Sequence, residues 1–163
     1  MAAATAEAIP FRDRAFGAAV VAQAFHWFDG SRALAELHRV LTRGGRLAVV
    51  WNVRDETHDL ARRMTEFFDW YRDGVPQHRD RLWQRAFDET ELFTSLDTAS
   101  FPHEQRLNLD GLRDRAMSVS FMATLPPEER DRAREELFAL VGYGEELVLP
   151  YRTDVHWCER IER

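Results

Sequence analysis

The sequence predicts an α/β layer built on a mostly parallel sheet, and three observations predict it. Short apolar runs containing Val alternate with longer segments whose apolar residues recur at helical spacing. The first run, helix and second run have the lengths of one strand–helix–strand unit. The runs show little polar alternation, which is how strands covered on both faces read.

The elements follow in order. Residues 15–23 (AFGAAVVAQ) form the first strand. Phe25-His26-Trp27-Phe28-Asp29 follows, and then Leu34, Leu37, Val40 and Leu41 line one face of a helix over 31–42. Asp29 is placed to cap that helix, and Gly44-Gly45 to close it, because glycine tolerates positive φ. Residues 46–52 (RLAVVWN) are the second strand, reached by a right-handed crossover. A second helix over 59–73 has an apolar stripe of Leu60, Met64, Phe67, Phe68 and Tyr71. Residues 77–95 read as short helix and loop. Residues 98–107 are a candidate strand, and Pro102 either weakens that reading or places the strand at a sheet edge. Residues 109–117 are helical. Pro126-Pro127-Glu128-Glu129 opens another helix, with Ala133, Leu137, Leu140 and Val141 on its apolar face and Gly142 and Gly144 at its end. The last strand covers 147–157, with an irregularity expected at Pro150 and its direction left open. No repeat or linker divides the chain, so residues 1–163 are expected to be a single domain.

Composition bounds the function. A chain of 163 residues with 45% hydrophobic and 31% charged residues can build one core and is not disordered. Its formal net charge is -6, which supplies no general basic surface for nucleic acid. All 22 basic residues are Arg, a bias of composition. The one cysteine, Cys158, reads as a small buried hydrophobe and fits a reducing compartment. No apolar run reaches the span of a bilayer and the start lacks the features of a secretory signal, so a cytoplasmic location is expected. The histidines, acids and cysteine show no metal-site spacing, so no metal is expected.

Three stretches, taken together, carry a family resemblance: residues 5–11 (TAEAIPF), residues 20–29 (VVAQAFHWFD), and the pattern E-x-x-R-V-L-x-x-G-G from Glu36 to Gly45, running on to Asn52. In this order they resemble the class I S-adenosylmethionine-dependent methyltransferases of the type 11 subgroup, similar to trans-aconitate methyltransferase. The resemblance is close from Thr5 to Arg54 and looser beyond. It implies a truncated Rossmann-like sheet, roughly strands four to seven of seven, with flanking helices. The chain as given would then be the C-terminal part, without the G-x-G-x-G loop and the acidic residue that hold the cofactor. Gly142-Tyr143-Gly144 and Gly44-Gly45 do not replace that loop, since neither sits between a strand and a following helix. Thr5 and Gly17 stand where the family usually has Asp.

The resemblance implies S-adenosylmethionine as cofactor and a small-molecule methyl acceptor. It implies that Thr5 and Ala6 meet adenine, and that Ala22 and Gln23 meet the methionine part of the cofactor. Gln23 also reads as a plain cap to the strand. His26 lies past the strand tip, where ligands of such sheets bind. Histidine's ordinary pKa of about 6.5 suits a general base. It reads more readily as a helix-entry histidine that bonds the backbone and packs on Trp27. Trp27 and Asn52 are candidates for substrate binding, against a core and a capping role. Two functions stand open: methyl transfer, or a methyltransferase remnant that folds and associates without binding cofactor. The run Gly17–Gln23 is expected to present an unpaired edge and to promote self-association.

Overall fold

The computed structural model describes residues 4–72, 78–141 and 147–162. Four strands form one sheet: β1 (Phe16–Ala22), β2 (Leu41–Arg54), β3 (Asp97–Leu107) and β4 (Leu147–Glu159), in the order β1-β2-β4-β3. The helices are α1 (Gly30–Val40), α2 (Asp59–Tyr71), α3 (Gln84–Glu89), α4 (Leu109–Met117), α5 (Ser120–Ala123) and α6 (Pro127–Val141), with 3-10 turns at Phe25–Trp27 and His78–Asp80.

β1 and β2 are parallel, with Ala18 opposite Arg46 and Ala22 opposite Val50. β4 runs antiparallel to β2, because the partners of successive β2 residues descend in number. Arg160 N–H donates to Gly45 O at 2.8 Å, Thr153 Oγ1 donates to Asn52 Oδ1 at 2.7 Å, and Asp55 N–H donates to Pro150 O at 3.0 Å. β3 and β4 follow the same rule, with Thr98 meeting His156 at 2.9 Å and Ser100 meeting Asp154 at 2.6 Å. β3 sits at the sheet edge. Pro102 lies within it, where a missing N–H is tolerated.

The chain forms two compact units. The first comprises Met1–Asn52, Pro76–Phe101 and Thr153–Arg163. In β2 the burial alternates. Leu47, Val49 and Trp51 are buried, while Ala48 and Val50 are only partly so. That is the pattern of a sheet covered on one face, not on both as the low alternation of the sequence suggests. β1 departs further: its burial pattern is almost wholly exposed, and Val20 retains 67% of its surface. Below β2 the aromatic rings assemble. Trp51 packs on Trp83 at 4.4 Å, Trp83 on His156 at 5.1 Å, and Phe25 on Phe87 at 4.9 Å.

α1 starts as its sequence requires, with the Asp29 carboxylate accepting from Arg32 N–H at 3.2 Å. It ends differently. The helix stops at Val40, and the cap residue Leu41 is already extended. The glycines act later, in a turn within β2. Gly44 takes φ +61°, and a Cβ on Gly45 would lie 2.8 Å from Thr42 O.

The second unit comprises Val53–Val75 and Pro102–Arg152. Its core joins Met64, Phe67 and Phe68 of α2 to Leu112 and Ala116 of α4, Met122 of α5, Ala133 and Leu137 of α6, and Leu149 and Tyr151 of β4. Leu60, Tyr71, Leu140 and Val141 pack at its margin, so the two apolar stripes read from the sequence are the buried faces. α4 is capped by Asn108, whose side chain accepts from Gly111 N–H at 2.8 Å. The Gly142 and Gly144 helix stop lies outside the described residues.

Candidate functional site

Ligands of α/β sheets bind beyond the carboxyl ends of the parallel strands. Here those ends are Ala22 of β1 and the residues after Val50 of β2. Ala22 and Gln23 are both exposed. Gln23 takes φ +57°, a left-handed conformation that costs a side-chain-bearing residue about 1–2 kcal/mol. Two hydrogen bonds hold it there. Its N–H donates to Val50 O at 2.9 Å, and its Nε2 donates to Asn52 O at 3.5 Å. The reversal lets the chain leave the strand sharply and enter the turn at Phe25–Trp27. Asn52 is fixed in turn by Thr153 Oγ1, which donates to its Oδ1. Gln23, Asn52 and Thr153 therefore form one polar set at the strand tips.

The segment Thr5–Ala8 is a turn closed by Ala8 N–H donating to Thr5 O at 3.2 Å. Glu7 ties it to the entry of α1, its Oε1 accepting from Asp29 N–H at 3.1 Å. The Glu7 carboxyl is held below the ordinary range first by its own backbone N–H, then by Asp29 N–H and the Thr5 hydroxyl, against the opposing effect of burial. The Thr5 side chain thus serves Glu7. Among the described residues no group accepts from the Ala6 N–H, which leaves that donor available to a ligand.

His26 and Trp27 lie in the 3-10 turn, with rings 5.0 Å apart. His26 is partly buried and its Nδ1 is shielded from solvent, whereas Trp27 is exposed. The contacts described join Gln23 to Asn52, and the Thr5–Ala8 turn to Asp29. His26 and Trp27 lie on the short segment that connects these two sets.

Sequence reasoning quoted Glu36 and Arg39 only within the E-x-x-R-V-L-x-x-G-G pattern and gave them no role. They share one face of α1 at i, i+3 spacing. Arg39 Nε and Nη2 grip the Glu36 carboxylate at 2.8 and 2.7 Å. Nη1 reaches Asp13 at 2.7 Å and Phe11 O at 2.9 Å, and Nη2 reaches Ile9 O at 2.9 Å. Glu36 Oε1 also accepts from Ile9 N–H at 2.7 Å. The Glu36 carboxyl is pulled down to about 2 by the Arg39 hydrogen bonds, with burial opposing and Ile9 N–H adding to the fall. The E-x-x-R pair is therefore a clamp on residues 9–13, which lead out of the Thr5–Ala8 turn.

The sheet order and its antiparallel last strand make this an α/β protein of the Rossmann-like kind. Comparison with known proteins points to methyltransferases. Residues 1–49 match the model of a methyltransferase domain. The chain is 38% identical over 155 residues to an uncharacterised methyltransferase of Mycobacterium tuberculosis strain H37Rv, covering 91% of this chain and 60% of that protein. It is 33% identical over 135 residues to an uncharacterised methyltransferase-like protein of Schizosaccharomyces pombe, covering 83% of this chain and 52% of the relative. A solved structure of a proposed type II methyltransferase from Anaeromyxobacter dehalogenans shares the fold, with TM-score 0.65 and 22% identity over 96% of this chain and 69% of that one. Over most of its length the chain is thus similar to methyltransferases, with the methyltransferase-domain match in residues 1–49. The chain spans little more than half the length of the curated relatives it matches. No helix among the described residues is long and apolar enough to cross a membrane.

Proposed function

We propose that this chain contributes to S-adenosylmethionine-dependent methyl transfer to a small-molecule acceptor, with the reacting groups at the tips of β1 and β2. The observation that carries the reading is Gln23. A strained left-handed residue, pinned by two hydrogen bonds at the carboxyl end of a parallel strand, is the kind of feature that clusters at ligand sites.

The residues present fit the cofactor in one checkable respect, the uncommitted Ala6 N–H beside a turn anchored by Glu7. Ala6 N–H would donate to the adenine ring, and Ala22 and Gln23 would offer backbone to the methionine part. When bound, the cofactor would supply an electrophilic methyl group carried on a sulfonium. The chain's own part is positioning, which can supply much of such a barrier reduction. Asn52, held by Thr153, would orient the acceptor. Trp27 would wall it, and His26 would take the acceptor's proton where it carries one.

Calorimetric titration of the 163-residue chain with S-adenosylhomocysteine tests this. Saturable heat that is lost in Ala6→Pro, which removes the N–H, supports the reading. A folded chain that gives no heat favours the second reading, a fold that associates without binding cofactor.

A further inference from the structure

Within the second unit three arginines lie over aromatic rings. Arg54, from the end of β2, lies over the Phe68 ring at 4.3 Å. Arg72 lies over Phe121 at 5.1 Å, and the Phe68 and Phe121 rings meet edge to face at 6.1 Å. Arg115, on α4, lies over Tyr151 at 5.3 Å and its Nε donates to the Tyr151 hydroxyl at 3.1 Å. His103 stacks on the same Tyr151 ring at 5.5 Å.

Of the three guanidinium groups, Arg72 has a carboxylate partner. Asp69 pairs with Arg72 at 3.7 Å. Among the described residues, neither Arg54 nor Arg115 forms an ion pair, and Arg54 Nε is sealed from solvent with no acceptor. Arg54 feels this. Burial lowers its pKa first; Tyr151 opposes that fall, the like charges of Arg72 and Arg115 add to it, and Asp69 opposes it last. Ring faces recover only part of the cost of a desolvated guanidinium. The remainder calls for an anion, and the planar fork of Arg is suited to an oxyanion with parallel acceptor oxygens. The rings supply the apolar surface that small-ligand sites combine with a few charged groups.

We propose that Arg54 and Arg115, with Arg72 beside them, form a binding site for an oxyanion carried on an apolar or aromatic group, a carboxylate or a phosphate. The site does not depend on the methyl-transfer reading.

The test titrates the 163-residue chain with sodium benzoate, phenyl phosphate and inorganic phosphate. Calorimetry reads affinity, and nitrogen-15 NMR follows the Arg54 Nε–H. Saturable binding is expected for benzoate or phenyl phosphate, and the tighter of the two identifies the source of the oxyanion. Arg54→Gln and Arg115→Gln should each weaken it about tenfold, the loss expected when a charge-assisted hydrogen bond is removed. Arg62→Gln, on α2 of the same unit and paired with Asp59 and Glu66, should leave it unchanged. Arg115 is exposed, so Arg115→Gln decides the matter even where Arg54→Gln does not fold. No saturable binding by the folded chain, unaltered binding in Arg115→Gln, or neither benzoate nor phenyl phosphate bound better than inorganic phosphate would overturn the proposal.

Discussion

Replacing Gly45 by alanine tests the account of the turn that joins α1 to β2. A Cβ at Gly45 would lie 2.8 Å from Thr42 O, 3.2 Å from Leu41 Cβ and 3.3 Å from Gly17 O. Two of these neighbours are backbone and cannot rotate aside. Either the turn opens or β1 moves off β2. Overpacking of this kind costs about 1–3 kcal/mol. The same movement carries Gly45 O away from Arg160 N–H, and a weakened hydrogen bond adds about 0.5–1.5 kcal/mol. The sum is about 2–4 kcal/mol, and at about 2–4 °C per kcal/mol for a chain of this size the melting temperature should fall by roughly 4–16 °C. Gly17→Ala is the matched control. A Cβ there meets nothing within 4 Å, so stability should hold, or rise by about 0.4–1 kcal/mol through the less flexible unfolded chain. Thermal unfolding followed by circular dichroism, with urea midpoints alongside, reads both. A Gly45→Ala protein that melts with wild type, or one no less stable than Gly17→Ala, would refute the crowding argument.

Three further outcomes are expected. The Glu36 carboxyl is lowered from 4.5 to about 2, so its contribution to stability is complete above pH 4.5 and is lost as pH falls toward 2; acid unfolding of Glu36→Gln should lack that loss. Burial pushes the Cys158 thiol up to about 12 and leaves it 1% exposed, so a thiol reagent at pH 8 should leave the native chain unmodified and react at once in urea. The free edge of β1, with Phe16 and Val20 exposed, should drive self-association that sedimentation detects and Val20→Lys reduces; a monomer at high concentration would count against it.

Local rules account for what could be read in advance. Helical spacing located α1, α2 and α6, the Asp29 cap marked where α1 starts, and Pro102 offered a sheet edge as one reading of β3. The helix stop was misplaced because Gly44-Gly45 satisfies the same conformational demand in a turn as in a cap. What escaped were arrangements between distant residues. Nothing in the sequence near Arg39 says that its other nitrogens reach Asp13 and the carbonyls of Ile9 and Phe11. Nothing near Arg54 names Phe68 as its cover. The candidate site divides along the same line. Its strand tips follow from the order of elements, whereas the bond between Glu7 and Asp29 required coordinates.

The final residues of β4 and those just after it return to α1. Arg160 Nε donates to His38 O at 2.9 Å, and the His38 ring meets Ile161 O at 2.8 Å. During synthesis, the end of α1 emerges from the ribosome long before these partners exist. The first unit is assembled from three separated stretches, so its closure must wait for the last of them. Loop-closure entropy over such separations slows folding. The second unit waits as well, since Met64, Phe67 and Phe68 of α2 close on Leu149 and Tyr151 of β4. A chain that ends before residue 153 should therefore keep its first unit sensitive to protease, because Arg160 and Ile161 are missing from the end of α1.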